Sequence, residues 1–150
     1  MEPERLEHLK MVQGIVARMA QNSFLLKGWS VTLTAGILAA AAAGKDASFS
    51  QLALLPALVF WGLDAFYLRQ ERLFRVLHDD ICAAFGKDPV TFSLDTKRIQ
   101  PAVVSWWRTL FAKTVVSLHG TLVVAILLVG ATIYRAKVGA LLSCIAQALR

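Results

Sequence analysis

Three windows of this sequence, 28–44, 47–63 and 114–134, contain no Asp, Glu, Lys or Arg. At 17, 17 and 21 residues, they are close to the roughly 17–25 that an α-helix needs to cross about 30 Å of hydrocarbon. We therefore read the chain as a single all-α integral membrane domain with three transmembrane helices. An N-terminal amphipathic helix precedes them, and the second extends into the cytosol. A hydrophobic content of 57% and a mean hydropathy of +0.57 exceed what water-soluble domains usually carry.

A cleavable signal is the competing explanation for the first window. However, 27 residues precede that window, and Glu2, Glu4 and Glu7 do not make a basic leader. The window is expected to be kept as a helix.

The net charge of +6 is distributed by topology. Four Lys or Arg precede the first window, one (Lys45) lies between the first two, eight lie between the second and third, and three follow. The positive-inside rule then places the N-terminus and middle segment in the cytosol, and the hairpin and C-terminus outside. For a bacterial inner membrane that is a multi-pass protein with a cytosolic N-terminus and a periplasmic C-terminus. Direct contact with nucleic acid is not expected, and membrane lipid is. Cys82 and Cys144 fall on opposite sides, so no intramolecular disulfide is expected.

The expected segments follow in order. Residues 1–27 form a cytosolic amphipathic helix, with Pro3 at its start and apolar residues at Leu6, Leu9, Val12, Val16, Met19 and Ala20. It either continues into the first transmembrane helix, 28–44, or bends near Asn22 and Ser23. A tight turn at Lys45 and Asp46 leads to the second, 47–68, opened by a Ser48–Gln51 capping box and kinked at Pro56. Residues 69–113 begin as a cytosolic helix with a Phe74, Leu77, Ile81 and Phe85 stripe. Gly86-Lys87-Asp88-Pro89 stops that helix. Val90, Phe92 and Leu94 are read as a connector rather than a strand, and Trp106-Trp107 as an interfacial aromatic belt. The third transmembrane helix is 114–134. Residues 135–150 form a short C-terminal helix, lying on the outer leaflet or plugging an assembly.

Three groups of residues are candidates for function. Gly28, Thr32, Gly36, Ala40 and Gly44 recur every four residues, the small-residue spacing that lets helix backbones approach in lipid. This face packs either on the chain's own second helix or between subunits of a homo-oligomer. Asp64 and His119 are ionisable groups at membrane depth, where such groups face protein or water. They are expected to pair, as a proton-responsive element or as a structural clamp. Arg69, Arg72 and Arg75 are candidates for contact with lipid or with a soluble cytosolic protein partner.

No catalytic residue, metal ligand set or cofactor motif is recognised, and the chain is not expected to be an enzyme. The distant alternative is a membrane-bound ribonuclease of HEPN type, resting on the spacing of Arg72 and His78. Leu73 stands where a polar residue is usual.

Two blocks, RMAQNSFLLKGWSVTL over 18–33 and FWGLDAFYLRQERLFRVLHDDI over 60–81, resemble small bacterial inner-membrane proteins with the general plan of SLATT-like phage-defence-associated effectors. The resemblance implies an oligomer that forms a pore or disrupts the membrane in defence or stress, and no catalytic motif. The other reading is a membrane sensor or scaffold that recruits a soluble partner.

Overall fold

The computed structural model describes residues 3–84 and 91–149. The stop expected at Gly86-Lys87-Asp88-Pro89, Phe85 of the predicted stripe, Val90 and Glu2 lie outside the described residues. The elements are α1 (Pro3–Gly44), α2 (Ala47–Gln51), α3 (Leu54–Ala83), a 3-10 helix (Lys97–Ala102), α4 (Trp106–Leu110) and α5 (Lys113–Ala148). Among the described residues there is no strand, and Phe92 and Leu94 lie in irregular chain.

Three stretches are long and apolar enough to cross a membrane: α1, Ala47–Ala83 and α5. Each is longer than a span requires. α1 runs for 42 residues with no break at Asn22 or Ser23. The separate C-terminal helix expected over 135–150 is instead a continuation of α5, which runs unbroken for 36 residues. At 1.5 Å per residue α5 is about 54 Å long, against about 30 Å of hydrocarbon. No Gly-Pro pair or polar cluster interrupts its sequence after Tyr134, so nothing local ends the helix there.

The turn between α1 and α2 is closed at both ends by hydrogen bonds. Lys45 adopts the left-handed conformation (φ 52°), and Lys45 N and Asp46 N donate to the carbonyls of Ala42 (3.2 Å) and Ala41 (3.0 Å). This is the Schellman arrangement that satisfies a helix's last carbonyls. The Asp46 carboxylate then accepts from Ser48 N (2.9 Å) and Phe49 N (3.4 Å). Asp46, rather than the predicted Ser48, is therefore the cap of α2, because its shorter reach across the turn satisfies two free N–H groups at once. Asp46→Ala is expected to destabilise the hairpin by about 1 kcal/mol, measured as a lower midpoint of thermal unfolding in detergent.

Pro56 acts one turn upstream of itself. It has no N–H to offer the carbonyl of Leu52, which accepts from Leu55 N at 3.2 Å instead. The chain tightens there and separates α2 from α3 at Leu52 and Ala53.

The chain divides into two compact units. The first, Met1–Leu26 with Gly62–Ala112, has a core of Val12, Leu73, Leu77 and Ile99, flanked by Phe74, Val76, Ile81 and Val103. Of the predicted α3 stripe, Leu77 is buried and Phe74 and Ile81 pack against this core, and Leu73, which the stripe did not include, is buried beside them. The second, Lys27–Trp61 with Lys113–Arg150, has a core of Ala53, Ala57 and Ile126, flanked by Ile37, Leu38 and Leu54. Here α2 packs on α5. A Cβ on Gly130 would lie 2.9 Å from Ser50 Oγ, so the approach needs glycine. Outside that small core Val31, Leu33, Leu55, Leu58, Val124, Leu127 and Leu128 are exposed. So much outward apolar surface marks a face for contact with lipid or with other protein.

Candidate functional site

Within the second unit, the buried face of α1 is not the predicted one. Ser30, Thr34 and Ala41 are buried, while Gly28, Thr32, Gly36, Ala40 and Gly44 are all exposed. A Cβ on Gly28, Gly36 or Gly44 would meet nothing within 4 Å. The expectation that this stripe packs on the chain's own second helix is therefore corrected. Ser30, Thr34 and Ala41 also recur at helical spacing and are also small, and it is this competing stripe that the chain uses. The correction leaves the glycine stripe open along 17 residues of helix.

The same unit buries polar groups within its apolar windows. The hydroxyls of Ser30 and Thr34 find no hydrogen-bond partner among the described residues, although helical Ser and Thr can bond back to a preceding carbonyl. His119 is fully buried, with its ring parallel to Trp61 (centroids 6.0 Å apart, 11° between planes). Ser117 and Thr121 do bond back, to the carbonyls of Thr114 (3.4 Å) and Ser117 (2.6 Å), and are exposed.

Asp64 belongs to the first unit and His119 to the second. Asp64 is fully buried and accepts from Ser23 Oγ of α1 at 2.5 Å. The hydroxyl offers the carboxylate a donor in place of water, which is what makes a buried acid tolerable. Ser23 was legible only as a possible bend. Nearby, Trp106 Nε1 donates to the carbonyl of Gly62 (3.1 Å) and its ring meets Trp107 edge-on. Trp107 and Phe111 remain 66% and 67% exposed, as membrane-interface anchors do.

The first unit is also tied by charges that periodicity did not single out. Arg5 is buried, and its Nη1 donates to the carbonyl of Ala84 (2.8 Å) and more distantly to that of Ile81 (3.5 Å). His8 is buried, with Nε2 3.1 Å from the Ser93 carbonyl and its ring tilted on Phe92. Arg98 pairs with Asp80. These groups surround a cavity of about 360 Å³, also lined by Ser93 and Asp95.

The three candidate arginines have separate roles. Arg69 Nε donates to the Val104 carbonyl (3.2 Å) and ties the returning chain to α3. Arg75 pairs with Glu71 one turn away (2.7 Å), an exposed contact that contributes little. Arg72 makes no ion pair among the described residues and lines a shallow cleft with Arg75, Val76, Val103 and Val104.

His78 faces Gln13 (3.2 Å) and lies 3.5 Å from Asp79 and 3.9 Å from the free thiol of Cys82. Arg72 and His78 sit on one helix six residues apart, hence roughly 120° apart around its axis. One copy of α3 does not converge them on a common point. Among the described residues no group of three or more His, Cys, Asp or Glu could hold a metal ion.

Neither a protein-family model, nor a curated protein, nor a solved structure matches the chain.

Proposed function

We propose that this chain is an oligomeric protein of the bacterial inner membrane that permeabilises the bilayer in defence or stress, with the first unit cytosolic and the C-terminus periplasmic. One observation carries the reading. Gly28, Thr32, Gly36, Ala40 and Gly44 line one exposed face of a helix apolar enough to span, and nothing in the second unit fills the space above the three glycines. Such a face lets a second helix approach closely, and packing of that kind drives association in lipid. α1 and α3 each contribute residues to both units, so a signal received by the first unit has a covalent path to the helices that assemble.

Gly36→Leu adds a side chain into open space and leaves the fold intact. In liposomes carrying trapped dye, the unaltered protein is expected to cause release, and Gly36→Leu to slow it about tenfold or more by blocking close helix approach. Release at equal rates by both, or by neither, would contradict the proposal.

A second reading, a scaffold for a soluble partner, is favoured by Arg72, a half-buried cation without an ion pair beside Val103 and Val104. A co-purifying cytosolic protein lost in Arg72→Glu, with no dye release at any protein concentration, would select it.

A further inference from the structure

The end of the second unit that carries the α1–α2 turn holds an open cleft of about 390 Å³ lined by Lys45, Thr132, Ile133, Ala136, Lys137 and Ala140. Its rim is cationic and its wall is largely apolar. Neither lysine makes an ion pair among the described residues. The nearest acid in sequence, Asp46, has its carboxylate engaged by the N–H groups of Ser48 and Phe49. No other acid is at hand on α5, because the sequence has no Asp or Glu after Asp95.

Two further features surround the cleft. Lys45 occupies the left-handed position of the turn (φ 52°) while Gly44, which would adopt it freely, stands one residue earlier. The Schellman hydrogen bonds hold Lys45 in that conformation, and its side chain lines the cleft. Beyond the cleft Val138, Leu141, Leu142 and Ile145 are exposed along α5. They present an apolar surface next to the two cations.

We propose that Lys45 and Lys137 bind the phosphate of an anionic glycerophospholipid. Ile133, at the edge of the apolar window, and Ala136, between that window and Lys137, provide the wall for its glycerol and upper acyl chain. The site lies at the limit of two apolar windows, one ending at Gly44 and the other at Tyr134, where a headgroup sits when the unit is in lipid. A free phosphate ion would use the same ammonium groups and gain nothing from the apolar wall. The proposal requires the membrane reading and is independent of whether the protein permeabilises the bilayer.

The test is native mass spectrometry of the detergent-extracted full chain titrated with dioleoylphosphatidylglycerol, dioleoylphosphatidylcholine or inorganic phosphate. Each lysine is expected to contribute about fivefold to affinity, so the pair gives a preference of about thirtyfold for phosphatidylglycerol over phosphatidylcholine. Lys45→Gln with Lys137→Gln should abolish that preference, and the two Arg replacements should keep it. Lys137→Gln alone, at an exposed mid-helix position that does not endanger folding, should reduce it about fivefold. Equal binding of the two lipids, an unchanged preference in Lys137→Gln, or displacement of phosphatidylglycerol by millimolar phosphate would each overturn the proposal. Carbonate washing of vesicles containing the same protein separates the two failures. Retention there with no lipid preference refutes the site alone, while loss from the vesicles refutes the membrane reading and the site with it.

Discussion

Gly130→Leu is expected to be the most damaging single substitution in the second unit, lowering its stability by about 3 kcal/mol or more. The Cβ alone would fall 2.9 Å from Ser50 Oγ, closer than side chains approach. Ser50 is fully buried and its hydroxyl donates to the Ala47 carbonyl at 2.7 Å. Rotating that hydroxyl away would break its hydrogen bond inside a buried contact, so α2 as a whole must shift. That shift would disturb the packing of α2 on α5. Gly130→Ala should have an intermediate effect, and Ser50→Ala should restore most of what Gly130→Ala loses. Gly62 is the control, since a Cβ there would meet only Trp106 Cζ2, at an ordinary 3.5 Å. Denaturation by sodium dodecyl sulfate, followed by circular dichroism, gives the ranking. Equal midpoints for Gly130→Leu and the unaltered chain would contradict it.

The contrast among these glycines marks where sequence reading stops. Absence of charge over 28–44, 47–63 and 114–134 was enough to find the stretches long and apolar enough to span, because a bilayer penalises charge wherever a helix points. It could not say which face of a helix meets which neighbour. Two stripes of small residues run along α1, and regular spacing favours the glycine stripe while the chain buries Ser30, Thr34 and Ala41. Both satisfy the same packing rule, and only the position of the other helices chooses between them. Gly130 stood out in neither pattern, since its requirement comes from Ser50, eighty residues away.

Asp64 stood out in the sequence as an acid near an apolar window, and the structure buries it in the first unit. Its neighbour Ser23 did not, because a serine at the membrane boundary is unremarkable until a carboxylate faces it. Arg5 and His8 were hidden for a related reason. They occupy the buried side of α1 with Leu9, Val12 and Ile15, but a hydrophobic-period count registers polar residues as breaks in a stripe rather than as members of it. The usable signal was their spacing. Positions 5, 8, 12 and 15 share one helical face, so two polar residues there call for partners inside the unit. Continuity was missed in the same way. The sequence shows where a bilayer should end, and α5 continues past that limit because helix formation depends on backbone bonds that composition at the boundary does not interrupt.

Arg5→Leu is expected to loosen the end of α3 while leaving its membrane portion unchanged. Replacing a buried charge by a hydrophobic residue is often neutral, because desolvation offsets the attraction. Here the acceptors decide against neutrality. The carbonyls of Ile81 and Ala84 lie at the C-terminal end of α3 and accept from Arg5, and a helix's last carbonyls rely on partners outside the helix. They remain after the arginine is gone, and they lose a cation placed at the negative end of the helix dipole. A hydrogen bond to a charged group contributes about 1.5–3 kcal/mol, so the last turns of α3 should open roughly 30- to 150-fold more often for a loss of about 2–3 kcal/mol. Hydrogen exchange followed by mass spectrometry reads this directly as faster exchange over 77–84, with residues 54–61 unaffected. Arg5→Lys keeps the charge and should recover part of the protection. Unchanged exchange in Arg5→Leu would mean that the buried guanidinium contributes no net stability there. Faster exchange over 54–61 as well would mean that the two ends of α3 open together.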